Sequence, residues 1–216
     1  MATTDTKDRL IAATLEAIRE VGFAGVSARV VANYADTNQA LIFYHFGSME
    51  ELVAETCRRS TAERVSLWAS ELEQVQDLPS LVALARRLHE VEAQEGNVAI
   101  LAQALAASHS DTRLAIVVGE ALQLWLHPLH DTASRILAGS VLEGVVAPGD
   151  IARTAAAAFV GVELFDGVVP DDGTDAFVML ERIAALGALV LEAGPITKAA
   201  VRRRLRTGGT APVRSS

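Results

Sequence analysis

Two amides, a hydroxyl, two aromatic rings and an imidazole crowd into Thr37-Asn38-Gln39 and Phe43-Tyr44-His45. Amide side chains such as those of Asn38 and Gln39 can pair with N6 and N7 of adenine in the major groove. Thr37 can offer a hydroxyl, or a methyl to the methyl of thymine. Tyr44 and His45 carry groups suited to phosphate oxygens. Arg29 and Ser27, a little upstream, add a cation and a hydroxyl for the same purpose. His45 has a second reading, as a packed residue of a small core. The chemistry expected of the set is recognition of a nucleic acid duplex.

Such side chains need a frame, and Val26 to Glu51 supplies one. Ser27 is placed to cap a first short helix. Val26, Val30 and Val31 fall at helical spacing, and Tyr34 and Ala35 close that face. Ala35-Asp36-Thr37 interrupts the pattern, because Asp and Thr compete for backbone hydrogen bonds and favour turns. From Asn38 a second run places Leu41, Ile42 and Phe46 inward and leaves Gln39, Phe43 and Tyr44 outward. Gly47 stops it, and Ser48-x-x-Glu51 is a capping-box signature for another helix. Two short helices this close, the second with exposed amides and rings, predict a helix-turn-helix.

Val31-Ala32-x-x-Ala35, then Ile42-Phe43-Tyr44-His45-Phe46-x-Ser48-x-Glu50, resembles the N-terminal domain of TetR-family one-component regulators. That pattern has Ile-Ala, then Ala-Gly-Val-Ser, Leu-Tyr-x-His-Phe and Ser-Lys-Glu. The resemblance implies that Arg29, Thr37, Asn38, Gln39, Phe43, Tyr44 and His45 occupy DNA-contacting positions. Three positions depart from the pattern. Asp36 stands where a turn glycine is usual, Phe43 where a tyrosine is, and Met49 where a lysine is. Each vacated phosphate contact lowers affinity and its salt dependence. Modest DNA affinity with a shallow salt slope is the expectation.

At 216 residues the chain can hold one large domain or two modest ones. Half its residues are apolar but only 5% are aromatic, so the core must be built from Ala, Leu, Val and Ile. Ala and Leu favour helices, and no alternating strand pattern of useful length exists. Cys57 is the lone cysteine, which excludes an intramolecular disulfide. The N-terminus lacks the apolar core of a signal peptide, and no uncharged apolar run reaches the roughly 18 residues a spanning helix needs. A cytoplasmic protein is expected. The net charge is −8, and residues 1–60 carry −2, which counts against a strongly basic DNA-binding surface. The basic residues concentrate in 196–216, net +6. That tail could touch DNA, fold onto an acidic face, or stay solvated.

Elsewhere the pattern predicts helices over 6–21, 48–76, 80–93, 97–107, 112–143, 150–168 and 174–192. Gly22, Asp77-Leu78-Pro79 and Pro170-Asp171-Asp172-Gly173 punctuate them, and a kink or break is expected before Pro128. With the two short helices this makes an all-α chain of about nine helices. The expected division is a three-helix helix-turn-helix DNA-binding domain over 1–47, a helical ligand-binding and dimerisation domain over 48–195, and the tail. By resemblance the helix from Ser48 connects the two.

Phe159, Val162, Phe177, Leu180, Ile183, Leu186 and Leu191 lie on the last two long helices, which are apolar on more than one face. Those faces could both pack within one protomer. The resemblance implies instead that this pair packs against a second copy, making a homodimer that reads a palindromic operator. Trp68, His89, Gln103, Trp125, His127, Phe159 and Glu163 are the candidates for a mostly apolar effector pocket. Trp68 and Trp125 have ordinary core packing as the alternative. Glu163 interrupts an apolar stretch and needs a partner if buried.

His127 and His130 are three apart, but no third ligand stands at metal-binding spacing, so no metal is expected. No phosphate-cradling glycine loop or nucleophile elbow exists, so neither a cofactor nor an enzymatic activity is expected. The chain is therefore expected to be a DNA-binding, ligand-responsive transcriptional regulator, by resemblance a repressor. The rival is a helical dimer of the same architecture with weakened or lost DNA binding, acting as an interaction module.

Overall fold

The computed structural model describes residues 2–166 and 175–192. Among them the chain forms nine helices and no strand. They are α1 (Ala2–Gly25), α2 (Ala28–Tyr34), α3 (Ala40–Phe46), α4 (Met49–Gln74), α5 (Leu78–Gln94), α6 (Asn97–Ser108), α7 (Thr112–Leu137), α8 (Pro148–Asp166) and α9 (Ala176–Leu191). The turn at 170–173 and the basic tail fall outside the described residues.

Local side chains decide where most helices begin. Ser27 Oγ accepts from Val30 N at 3.4 Å, Asn38 Oδ1 from Ala40 N at 2.8 Å, and Ser48 Oγ from Glu51 N at 3.1 Å. Further along, Asp77 Oδ1 accepts from Ser80 N at 2.8 Å, Asp111 Oδ1 from Arg113 N at 2.9 Å, and Asp175 Oδ1 from Phe177 N at 2.8 Å. Each satisfies an amide that has no partner inside its own helix. The Ser80 hydroxyl, and then its amide, hold the Asp77 carboxyl below the ordinary range.

Several boundaries differ from the sequence expectation, among them the start of α1 at Ala2 rather than residue 6. The break at Gly22 is real, with φ 69° and ψ 170°, but a further helical turn follows to Gly25. Helix α5 starts at Leu78, ahead of Ser80, because Pro79 falls in the first turn, where its missing N–H leaves no hydrogen bond unmade. Helix α7 runs continuously through Pro128 and ends at Leu137, short of residue 143. Val118 on one side of the proline, and Ala133, Ile136 and Leu137 on the other, are buried, so packing on both sides favours the helix over a break. Gly139, at φ 69°, turns the chain after its end.

The chain divides into two compact units. Among the described residues the first comprises 2–68, 89–125 and 163–166. It contains the core Leu10, Ala13, Ala17, Val31, Ala35, Ile42 and Leu52, on which Ile11, Val26, Val30, Leu41, Phe46 and Met49 pack. Leu10, Ile42 and Leu52 are fully buried, each stabilising the fold by about 2 kcal/mol. In this unit Arg19 donates to Asn97 Oδ1 at 3.0 Å, tying α1 to α6. Nearby, Asn97 donates to Glu92 Oε2 at 2.7 Å, and Arg64 lies 3.6 Å from Glu92 Oε1.

Among the described residues the second unit comprises 69–88, 126–162 and 175–192. Leu84, Ala133, Val141, Ala152 and Phe177 are buried in it. Arg135 donates to the Leu72 carbonyl at 2.6 Å, near the end of α4, and Thr132 donates to the same oxygen at 3.2 Å. Arg86 lies 2.7 Å from Asp175 and 2.9 Å from Glu181, with its guanidinium 5.5 Å from the centre of the Phe177 ring.

Candidate nucleic-acid interface

Helices α2 and α3 are seven residues each, too short to persist alone. Val31 and Ile42, both fully buried, hold them on α1. Tyr34 adds a polar clamp, donating to Glu20 Oε2 at 2.7 Å. That hydrogen bond also raises the tyrosine pKa above its ordinary value.

The turn between them passes through Asp36 at φ 46°, a left-handed conformation that costs side-chain-bearing residues free energy and that Asp tolerates better than most. A glycine would adopt it freely. Gly47 closes α3 at φ 80°. The polar face held by this frame includes a shallow, solvent-open concavity of about 440 Å³ lined by Arg29, Ala32, Asn33, Thr37, Asn38 and Gln39.

Four of the eight expected DNA-contacting residues thus line one surface: Arg29, Thr37, Asn38 and Gln39. The others lie on the same pair of helices. Ser27 is exposed but occupied as a cap. Phe43 and Tyr44 are 49% and 79% exposed, large values for aromatic side chains that no core requires there. His45 is half-buried, with the Tyr44 ring edge-on to it at 4.9 Å between centres. Asn33, absent from the sequence expectation, lines the concavity four residues after Arg29. Helical spacing from Arg29 was the signal that could have found it. Met49 packs on the core of the first unit, which is why no cation reaches outward from that position.

Residues 10–56, spanning this frame and its core, match the family model for bacterial regulatory proteins of the tetR family. Over these residues the chain is similar to the TetR family. This is a family of DNA-binding transcriptional regulators, not of enzymes. An uncharacterised HTH-type transcriptional regulator of Mycobacterium tuberculosis is 28% identical over 137 residues, 63% of this chain and 69% of that protein. In fold, the chain is similar to a TetR-family transcriptional regulator from Rhodococcus sp., with a TM-score of 0.68, 17% identity, and 89% and 100% of the two chains covered. It is also similar to the transcriptional regulator FadR from Bacillus subtilis in complex with stearoyl-CoA. There the TM-score is 0.62 at 15% identity, over 85% of this chain and 97% of that one.

The expected effector residues divide between the units. Trp68, His89, Gln103, Trp125 and Glu163 belong to the first, and His127 and Phe159 to the second. Trp68 is buried and Trp125 half-buried. Glu163 is 3% exposed and lies 2.8 Å from His89 Nδ1, which supplies the partner its burial demands. Gln103 is exposed on α6 beside Gly22, where an added Cβ would meet its Oε1 at 2.8 Å. His127 is exposed, and the described residues hold no metal-binding cluster.

Of the expected dimer residues, Ile183 and Leu186 are 57% and 64% exposed, while Phe159, Val162, Leu180 and Leu191 are half-buried. Phe177 is buried inside the protomer. Met179, Leu189 and Val190, unnamed by sequence, are exposed on α9. No helix among the described residues is long and apolar enough to cross a membrane.

Proposed function

We propose that the protein is a ligand-responsive repressor, a homodimer that grips a palindromic operator and is released by a mostly apolar small molecule. The reading head is residues 1–47, and 48–195 form the ligand-binding and dimerisation domain. The observation that carries this reading is the surface of α2 and α3. Arg29, Thr37, Asn38 and Gln39 line one concavity, and Tyr44 stands exposed on the same short helix pair.

The homodimer is supported by α9. Met179, Ile183, Leu186 and Val190 recur at helical spacing and are all exposed, and Leu189 extends the patch. A self-complementary stripe suits a two-fold axis, and a dyad matches an operator with two half-sites. The effector reading rests on Trp68, Trp125 and the buried His89–Glu163 pair, apolar surface with a polar anchor. The stearoyl-CoA held by the B. subtilis regulator makes long apolar ligands the first panel to try. Effector binding would bias an equilibrium between dimer states with different operator affinities.

An electrophoretic shift with the DNA upstream of the protein's own gene, at low salt, tests the function. A shift that apolar ligands reverse is expected. A folded dimer that shifts nothing at low salt favours the second reading, an interaction module. The exposed Asp36 and the inward packing of Met49 are the observations on that side.

A further inference from the structure

Helix α9 carries two apolar faces, and different residues form each. Phe177 and Ala184 are buried inside the second unit. Met179, Ile183, Leu186 and Val190 are exposed and follow one another at steps of four, three and four residues, the alternation of a coiled-coil seam. Met179 stands two residues after Phe177, and Leu186 two after Ala184. Two residues turn a helix by about 200°. The exposed seam therefore lies opposite the buried face, and its direction depends on how α9 is rotated on its own protomer.

The seam is narrow. Arg182, one residue before Ile183, is exposed about 100° round the helix from it. A roll that brings this flank forward puts a guanidinium into an apolar contact, where an unpaired charge is costly. Apolar packing alone gives α9 few stops against such a roll, because Ala184 is small and Phe177 lies in the first turn.

Arg86 of α5 supplies the stops. Its Nη1 donates to Asp175 Oδ2 at 2.7 Å and its Nε to Glu181 Oε1 at 2.9 Å. The other oxygen of the same Asp175 carboxylate, Oδ1, accepts from Phe177 N at 2.8 Å and so caps α9. The Arg86 guanidinium also stands 5.5 Å from the centre of the Phe177 ring. One planar fork thus grips the cap, the first turn and the second turn of α9. Towards the other end, Gly187 lets α9 approach α5 closely, since a Cβ there would lie 2.8 Å from Leu78 Cδ1. All of these residues belong to the second unit.

We propose that Arg86 is a positioning residue of the dimer interface: by gripping Asp175 and Glu181 it fixes the rotation of α9 that presents Met179, Ile183, Leu186 and Val190 to a second copy of the chain. This rests on the homodimer put forward above. Arg86 holds the side of α9 away from the seam, so its effect on assembly passes through the helix.

The test uses the full chain with Cys57→Ala and one new cysteine at a time: Met179→Cys, Arg182→Cys, Ile183→Cys, Leu186→Cys or Val190→Cys. A disulfide between two copies of the same residue forms only where the two-fold axis brings them together. With Arg86 present, crosslinking falls on seam positions and spares Arg182→Cys. Arg86→Met keeps an apolar stem beside Phe177 and removes the charge. It weakens dimerisation roughly tenfold in sedimentation, the scale of ordinary coupling between two sites, and crosslinking spreads to Arg182→Cys. Asp175→Asn keeps a capping side chain but removes the carboxylate that Arg86 grips, and it moves both readouts the same way. Arg86→Lys recovers part of the affinity, since a lysine keeps the charge without the planar fork.

The proposal is overturned if Arg86→Met dimerises as tightly as wild type. It is also overturned if the dimer weakens while crosslinking stays on the seam, which would make Arg86 a stabiliser of the fold alone. A folded wild-type chain that sediments as a monomer is a different result. It removes the homodimer, and the role of Arg86 with it.

Discussion

His89 Nδ1 lies 2.8 Å from Glu163 Oε1, joining α5 to α8 at a carboxylate that is only 3% exposed. Losing one member of such a pair leaves the other's desolvation uncompensated. His89→Ala is therefore expected to lower stability by about 3 kcal/mol. Glu163→Gln, which removes the charge and keeps a hydrogen-bonding group, should cost about 1 kcal/mol. Urea denaturation of the two variants checks the order. Equal losses would mean that the contact matters for its shape and not its charge.

Asp36 combines a left-handed backbone with an acid on a face proposed to meet phosphates. Asp36→Gly relieves the strain, which costs about 1 kcal/mol, while the added freedom of the unfolded chain offsets a similar amount. Stability should change little. DNA affinity should rise several-fold at low salt, since a repulsive charge is gone. Binding titrations alongside thermal melts separate the two effects.

Burial pushes the Cys57 thiol up to about 11, only partly countered by the Arg58 charge. A raised pKa favours the protonated thiol in the folded state. The resulting stability is complete below the unfolded-state value near 9 and is lost as pH rises towards 11. The loss amounts to about 2 kcal/mol. Wild type should weaken more than Cys57→Ala between these two pH values, which denaturation at each pH will show. Native Cys57 should also alkylate far more slowly than the unfolded thiol.

Arg135 and Thr132 both donate to the Leu72 carbonyl, one of the last in α4, which has no partner inside its own helix. Arg135→Ala should cost about 2 kcal/mol, since the donor is charged and part-buried. Arg135→Lys should recover only part of it, because a lysine lacks the planar fork that also reaches Thr132 Oγ1 at 3.0 Å. Hydrogen exchange at the C-terminal turn of α4 would show whether the loss is local.

The helical frame was legible because periodicity is a local signal. Leu10, Val31 and Ile42 were placed inward by spacing alone and are fully buried. Prolines were less legible, since their effect depends on position and packing. Pro79 opens α5, and Pro128 is carried inside α7 by buried residues on either side of it. Contacts between distant residues, such as Arg135 with Leu72, leave no spacing in the sequence to find them by.

At the candidate site, residue type pointed to Arg29, Thr37, Asn38 and Gln39, but not to Asn33, an ordinary polar residue until α2 places it beside Arg29. On α9 the sequence showed an apolar helix but not which stripe faces its own protomer. Phe177 turned inward, and Met179 and Leu189 stayed exposed.

The caps at Ser27, Asn38 and Ser48 act on amides two or three residues away, and Ile42 carries the burial of α3. None of these groups is shared with Gln39, Phe43 or Tyr44. The outward positions can therefore change identity at little cost to folding. Duplicated copies of such a gene could drift to new operators one residue at a time, without passing through an unfolded intermediate form.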